Sequence, residues 1–176
     1  MPEKLMSELW DYIAQQFRDT ISRAAPEQLS YRLSPNENSV AEVAWRGLGT
    51  SYQWSAILSG ATTLEEAIHL DPSALDLLQA ARNTYAPGKF PDSMAAESDA
   101  LLLRADETMA LVGAQLAELS PAQRTQRYST WWDATYTGDE IVARMMWWLS
   151  YCDGQMHLLM AHCERASTTR QMRRGT

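Results

Sequence analysis

The sequence predicts an all-α protein, a four-helix bundle with an extra helical excursion between its second and third long helices. Three observations carry that prediction. Four long segments space their apolar residues three and four apart, which lays one stripe along a helix. Two of these segments open on capping boxes, Ser39-Val40-Ala41-Glu42 and Thr137-Gly138-Asp139-Glu140. In such a box a hydroxyl and a carboxylate three residues apart each accept the other residue's backbone N–H. Alternating apolar and polar runs are short and β-branched residues few, so no strand is expected.

Composition bounds the function. The 176 residues are 45% apolar by type and carry a formal charge of −7. That length suits one domain with a full core, and seven Trp, seven Tyr and nine Met argue against intrinsic disorder. No run approaches ~20 consecutive apolar residues, so no membrane partner is expected. Nucleic acid is a poor partner for an acidic chain, because binding the phosphate backbone needs positive charge. Met1–Trp10 lacks the pattern of a signal peptide, and two cysteines make no disulfide framework, which together place the expected compartment in the cytoplasm.

The first helix, from Pro2 to about Ala24, carries the stripe Leu5, Met6, Leu9, Trp10, Ile13, Phe17 and Ile21, and Pro26 helps end it. Residues 27–38 read as a structured polar loop. The second helix runs from the Ser39 cap to Ser59. Val40, Val43, Ala44, Gly47, Leu48, Trp54, Ile57 and Leu58 are its expected buried positions, and Gly60 is its left-handed closing residue. The excursion follows: Thr62 or Thr63 caps a short helix to Leu70, and Asp71-Pro72 starts another that ends near Tyr85. Residues 86–91, with two prolines and a glycine, cannot be helical.

Asp92 is the expected cap of the third helix, which carries Met94, Leu101, Leu102, Ala105, Met109, Val112, Leu116 and Leu119 to a stop at Ser120-Pro121. Residues 122–136 read as a loop that becomes aromatic at Tyr128, Trp131, Trp132 and Tyr136. The fourth helix runs from Thr137 to about Arg165 along the seam Ile141, Met145, Trp148, Cys152, Gln155 and Leu159. Its Met and aromatic content offers more apolar surface than one seam needs, which makes a homodimer an expectation. Residues 166–176, rich in Ser, Thr and Arg, read as a disordered basic tail, so the domain spans residues 1–165.

The stretches "PEQLSYRLSPNENSVAEVAWRGL" and "TGDEIVARMMWWLSYCDGQMHLL" together resemble the DinB/YfiT-like family of four-helix bundles. Members show a Pro-containing loop, a Ser-Val-x-Glu helix start followed by a His, and a fourth helix with His-x-x-x-His and Gly-Gln close behind. Ser39-Val40-Ala41-Glu42 and Gly154-Gln155 match. The resemblance implies a DinB-like bundle, and for members with all three His a divalent metal and a metal-dependent hydrolase or thiol-dependent S-transferase activity. Here the three His positions fall on Arg46, Trp148 and Cys152.

The remaining histidines do not rebuild the triad. His157 and His162 lie five apart, about 140° around a helix, and His69 belongs to the excursion. No metal or other cofactor is therefore expected, and a zinc or nickel site of altered composition is the alternative. Arg46 draws most interest. It either occupies the metal's space, paired with Glu42 or Asp153, or snorkels to solvent. Cys152 beside Arg46 would have a lowered pKa if it acted as a nucleophile, yet it has no neighbouring base and reads more simply as core. Trp148 is expected to fill the centre of the bundle. Asp153 and His157, four apart, form a surface pair. The expected function is a non-metal, non-catalytic bundle that binds a small-molecule ligand or partner at Arg46, Trp148, Cys152, Glu42 and Asp153. The alternative is the family's hydrolase or S-transferase with an altered metal site.

Overall fold

In the computed structural model the described residues are 3–82, 86–91, 94 and 97–174. They form α1 (Glu3–Arg23), α2 (Pro26–Leu29), α3 (Val40–Leu58), α4 (Leu64–Leu70), a 3-10 turn (Pro72–Ala74) running into α5 (Leu75–Ala81), α6 (Ser98–Ala117), α7 (Pro121–Thr125), β1 (Arg127–Ser129), β2 (Thr135–Thr137) and α8 (Gly138–Arg174). The class is all-α with one small hairpin. Among the described residues no helix is long and apolar enough to cross a membrane.

The central element is α3. Every residue from Val40 to Leu58 is buried except Arg46, the pattern of a helix covered on all sides. It packs on α5, α6 and α8, while α1 packs on α6 and α8. The capping box forms as its sequence dictates, with the Ser39 N–H donating to Glu42 Oε2 (2.8 Å) and the Glu42 N–H to Ser39 Oγ (3.3 Å). Gly60 closes the helix at φ 98°, a conformation that costs glycine little. Two glycines inside α3 admit close neighbours. A Cβ at Gly47 would stand 2.9 Å from the Phe17 ring and 3.2 Å from Cys152 Cβ, and one at Gly49 would meet the Leu77 carbonyl of α5.

The seams are narrower than the apolar spacing suggests. On α1, Met6, Trp10, Phe17 and Ile21 are buried, whereas Leu5 and Leu9 stay 49% and 38% exposed. Those two lie about 100° around the helix from their buried neighbours, on a flank that α6 and α8 do not cover. The seam of α8 is Val142, Met145, Leu149, Cys152, Met156, Leu159 and Cys163, all buried. Its alternating steps of three and four follow the 3.5-residue repeat of packed helices. The expected seam through Trp148 and Gln155 is thus one residue out at those two positions. Leu149 and Met156 take the centre, and Trp148 and Gln155 are only partly buried.

Four other expectations change. The excursion is part of the body, because α5 lies along α3 with Leu77, Leu78 and Ala80 buried. It ends at Ala81, and Tyr85 lies outside the described residues, as does Asp92. The third long helix begins at Ser98 with Glu97 at its N-cap. The supposed loop 122–136 contains α7 and an antiparallel hairpin in the register Arg127↔Thr137, Tyr128↔Tyr136 and Ser129↔Thr135. Three-residue strands are too short to show a period. Both the N–H and the hydroxyl of Thr130 bond the Ala134 carbonyl at the hairpin tip, and Trp132 and Tyr136 meet Trp54 of α3 edge-on at 5.3 and 5.5 Å.

Finally, α8 continues to Arg174, past the expected end at Arg165. The Thr168 and Thr169 hydroxyls bond back to the carbonyls of Glu164 and Arg165. Apolar periodicity vanishes there, where Ser167, Thr168, Thr169 and Met172 are exposed. The helix persists because extending a formed helix needs no new nucleus.

Candidate functional site

Arg46 is the one cationic residue on α3, and it lines a cavity of about 440 Å³. The walls are Leu33, Asn36, Glu37 and Asn38 from the loop before α3, Val43 and Arg46 from α3, Pro87 from the turn after α5, and Gln155, Leu158 and Leu159 from α8. Leu33 and Leu158, 47% and 56% exposed, give the mouth an apolar rim. The Arg46 guanidinium carbon lies 5.2 Å from the centroid of the Trp148 ring, a cation–π distance. Its Nε is buried without a hydrogen-bond partner, as are Asn38 Oδ1, Trp148 Nε1 and Asp153 Oδ1. Buried polar atoms are nearly always satisfied, so four such atoms on or near one cavity wall mark the region as unusual.

The pairing of Arg46 with Glu42, one of the alternatives left open above, does not form, for a local reason. At the third helical position the Glu42 carboxylate turns back to the Ser39 N–H, away from a residue one turn further on. Its other oxygen accepts from Arg32 Nη2 (3.1 Å) and from the Gly88 N–H (2.8 Å). Arg32 also donates to the Glu37 carbonyl (2.9 Å) and lies under Gly88, whose φ is 75°. Glu42 is 6% exposed. One buried carboxylate therefore ties together the loop before α3 and the turn at Pro87-Gly88, two walls of the cavity. Glu42 positions the site and does not face a ligand.

Asp153 does not pair with Arg46 either. Its Oδ2 stands 3.7 Å from His157 Nε2, the expected i, i+4 pair. The same nitrogen lies 3.1 Å from Thr20 Oγ1. A hydroxyl, an imidazole and a carboxylate thus adjoin, but both contacts share one ring nitrogen. A relay needs the two nitrogens to serve opposite partners, so this is a polar link between α1 and α8.

Cys152 is fully buried against Gly47. Burial pushes its thiol up to about 12, Asp153 adds to the rise, and the opposing pull of Arg46 is too weak to reverse it. The lowered pKa that a nucleophile would need is absent; the residue is core. Cys152 and Cys163 are both free. Trp148 sits at the edge of the core, against Trp147 and Tyr151. Among the described residues no group of three or more His, Cys, Asp or Glu could hold a metal ion.

Of the five residues singled out from sequence, only Arg46 lines the cavity; the other four lie around it. The cavity residues that sequence reasoning missed are Leu33, Asn36, Glu37, Asn38, Pro87 and Leu158, with Arg32 and Gly88 behind the wall. The polar run Asn36-Glu37-Asn38 was a signal in principle. The joining of Arg32 and Gly88 through Glu42 left none, since it spans 10 and 46 residues. No protein-family model matches the chain, and no curated protein matches it.

Proposed function

We propose that the chain is a DinB-like four-helix bundle of α1, α3, α6 and α8 that has exchanged the family's metal centre for a ligand-binding cavity at Arg46, without catalysis. Support for the bundle comes from the packing of α1 and α3 each on both α6 and α8. The observation that carries the functional reading is the cavity itself. A partly apolar pocket of this volume with a few convergent polar groups is the usual form of a small-molecule site, and here the polar group at its wall is a guanidinium whose Nε has no partner. A thiol held at about 12 and a Glu42 carboxylate already engaged by three donors leave little for hydrolase or transferase chemistry. Self-association through the outer face of α8 belongs to the same reading, supported by Trp147, 61% exposed and stacked on Tyr151.

A thermal-shift screen of small fragments tests the proposal. Binders should raise the melting temperature of the wild type and lose that effect in Leu158→Trp, which narrows the mouth. Hits that ignore this substitution would place binding elsewhere. Stoichiometric zinc or nickel in the purified protein, lost on Cys152→Ala, would overturn the non-metal reading outright.

A further inference from the structure

We infer that the cavity takes a small monocarboxylate with an apolar body, its carboxylate seated on Arg46; this rests on the cavity being a binding site, as proposed above. Arg46 is the one residue of α3 that is not buried, but its Nε is, and among the described residues Arg46 makes no ion pair and that Nε has no acceptor. Of the nearby carboxylates, Glu42 is engaged by Arg32, Ser39 and Gly88, Asp153 Oδ2 stands 3.7 Å from His157, and the exposed Glu37 lines the same wall without an ion pair to Arg46. A ligand carboxylate supplies the missing acceptor and matches the planar fork of a guanidinium with two parallel hydrogen bonds.

The number of charges follows from the same wall. Among the described residues Arg46 is its only cation, and Glu37 its only other charged residue. One guanidinium facing one carboxylate neutralises a single negative charge and leaves a dianionic phosphate in repulsion with Glu37. The remaining surface sets the body of the ligand. Val43, Leu159 and Pro87 line the interior, and Leu33 and Leu158 form the exposed rim, so an apolar chain or ring can run from Arg46 toward the mouth. A hydroxyl or N–H on that body would find the unpartnered Asn38 Oδ1.

The test uses the whole chain and four probes of one length: octanoate, octyl phosphate, octanol and octylamine. Binding is read by tryptophan fluorescence, for which Trp148 under Arg46 is a built-in reporter, and by thermal shift. Octanoate should bind best. Arg46→Met should weaken octanoate about 10- to 100-fold, the worth of a charge-assisted hydrogen bond, and leave octanol unchanged. Arg46→Lys should fall between them, and urea curves for both variants establish that they fold. Octanol or octylamine binding as well as octanoate would overturn the carboxylate and leave the cavity as a site for other ligands. Tighter binding of octyl phosphate would overturn the monoanion. No binding by any probe would overturn this inference and remove the support for the cavity as a binding site.

Discussion

The three glycines 49, 47 and 154 offer one substitution in three surroundings, and the structure assigns each a different result. Glycine to alanine within a helix gains about 1 kcal/mol of intrinsic propensity wherever it is made. What opposes that gain is the space a Cβ enters. At Gly154, in mid-α8, nothing lies within 4 Å, so Gly154→Ala should stabilise by up to about 1 kcal/mol. At Gly47 the new atom stands 2.9 and 3.0 Å from the Phe17 ring and 3.2 Å from Cys152 Cβ. A side-chain ring can yield by a few tenths of an ångström, so an overpacking cost of about 1–3 kcal/mol exceeds the propensity gain only modestly. At Gly49 the new atom meets backbone, the Leu77 carbonyl and the Ala81 nitrogen. Backbone cannot rotate aside, so α5 must move and the net loss should be about 2 kcal/mol or more. Urea unfolding followed by circular dichroism reads the series as shifts in midpoint at constant slope. Gly49→Ala as stable as the wild type would refute the close packing of α5 on α3. A destabilising Gly154→Ala would mean that the outer face of α8 is covered in solution, as a second copy would cover it.

Glu42→Ala strands the Ser39 and Gly88 N–H groups and the Arg32 guanidinium together, and should cost about 3 kcal/mol or more in urea unfolding; a loss under about 1 kcal/mol would remove Glu42 as the tie between the cavity walls. Neither cysteine should react with a thiol reagent at pH 8 in the folded protein, while both react in denaturant. Because the folded Cys152 thiol is raised from 9.0 to about 12, its contribution is intact below pH 9 and is lost as pH rises from 9 toward 12. Cys152→Ala should flatten that alkaline decline, and an unchanged slope would contradict the burial. Glu66 and Glu140 are held below their ordinary 4.5, first by the backbone N–H groups of Thr62 and Thr137. Their stabilisation is full above that value and disappears as pH falls through the lowered one. Glu140→Gln should therefore lessen the fall in melting temperature between pH 5 and pH 3, and parallel curves would deny the cap its role.

What could be read ahead of the structure shares a short range. The boxes at Ser39 and Thr137 and the turn at Gly60 are settled within three or four residues, and each stands where its residues place it. Helical class and the long segments follow from spacing alone. The errors lie where two readings satisfy the same pattern. Trp148 fits an apolar seam about as well as Leu149, and the positions of α1 and α3 decide which face is covered. Met6 and Leu5 differ in the same way. Further along α8 the apolar Met156 takes the seam and the polar Gln155 does not. The hairpin at residues 127–137 depends on Trp54 of α3 as a platform, and its strands are too short to announce themselves.

Arg46 shows the division most clearly. Its presence among buried apolar residues, at the position of an expected histidine, was visible from residue order, and so was the absence of the His triad. Its surroundings were not. Helix caps and periodicity are local, set by backbone geometry that repeats every few residues. The partner of a side chain depends on which distant segments fold against it. Residue order determined that a guanidinium stands on α3 in a helical, acidic protein. Tertiary structure alone decided that Glu42 turns away to hold Arg32 and Gly88, leaving that guanidinium at the wall of a cavity with no carboxylate paired to it among the described residues.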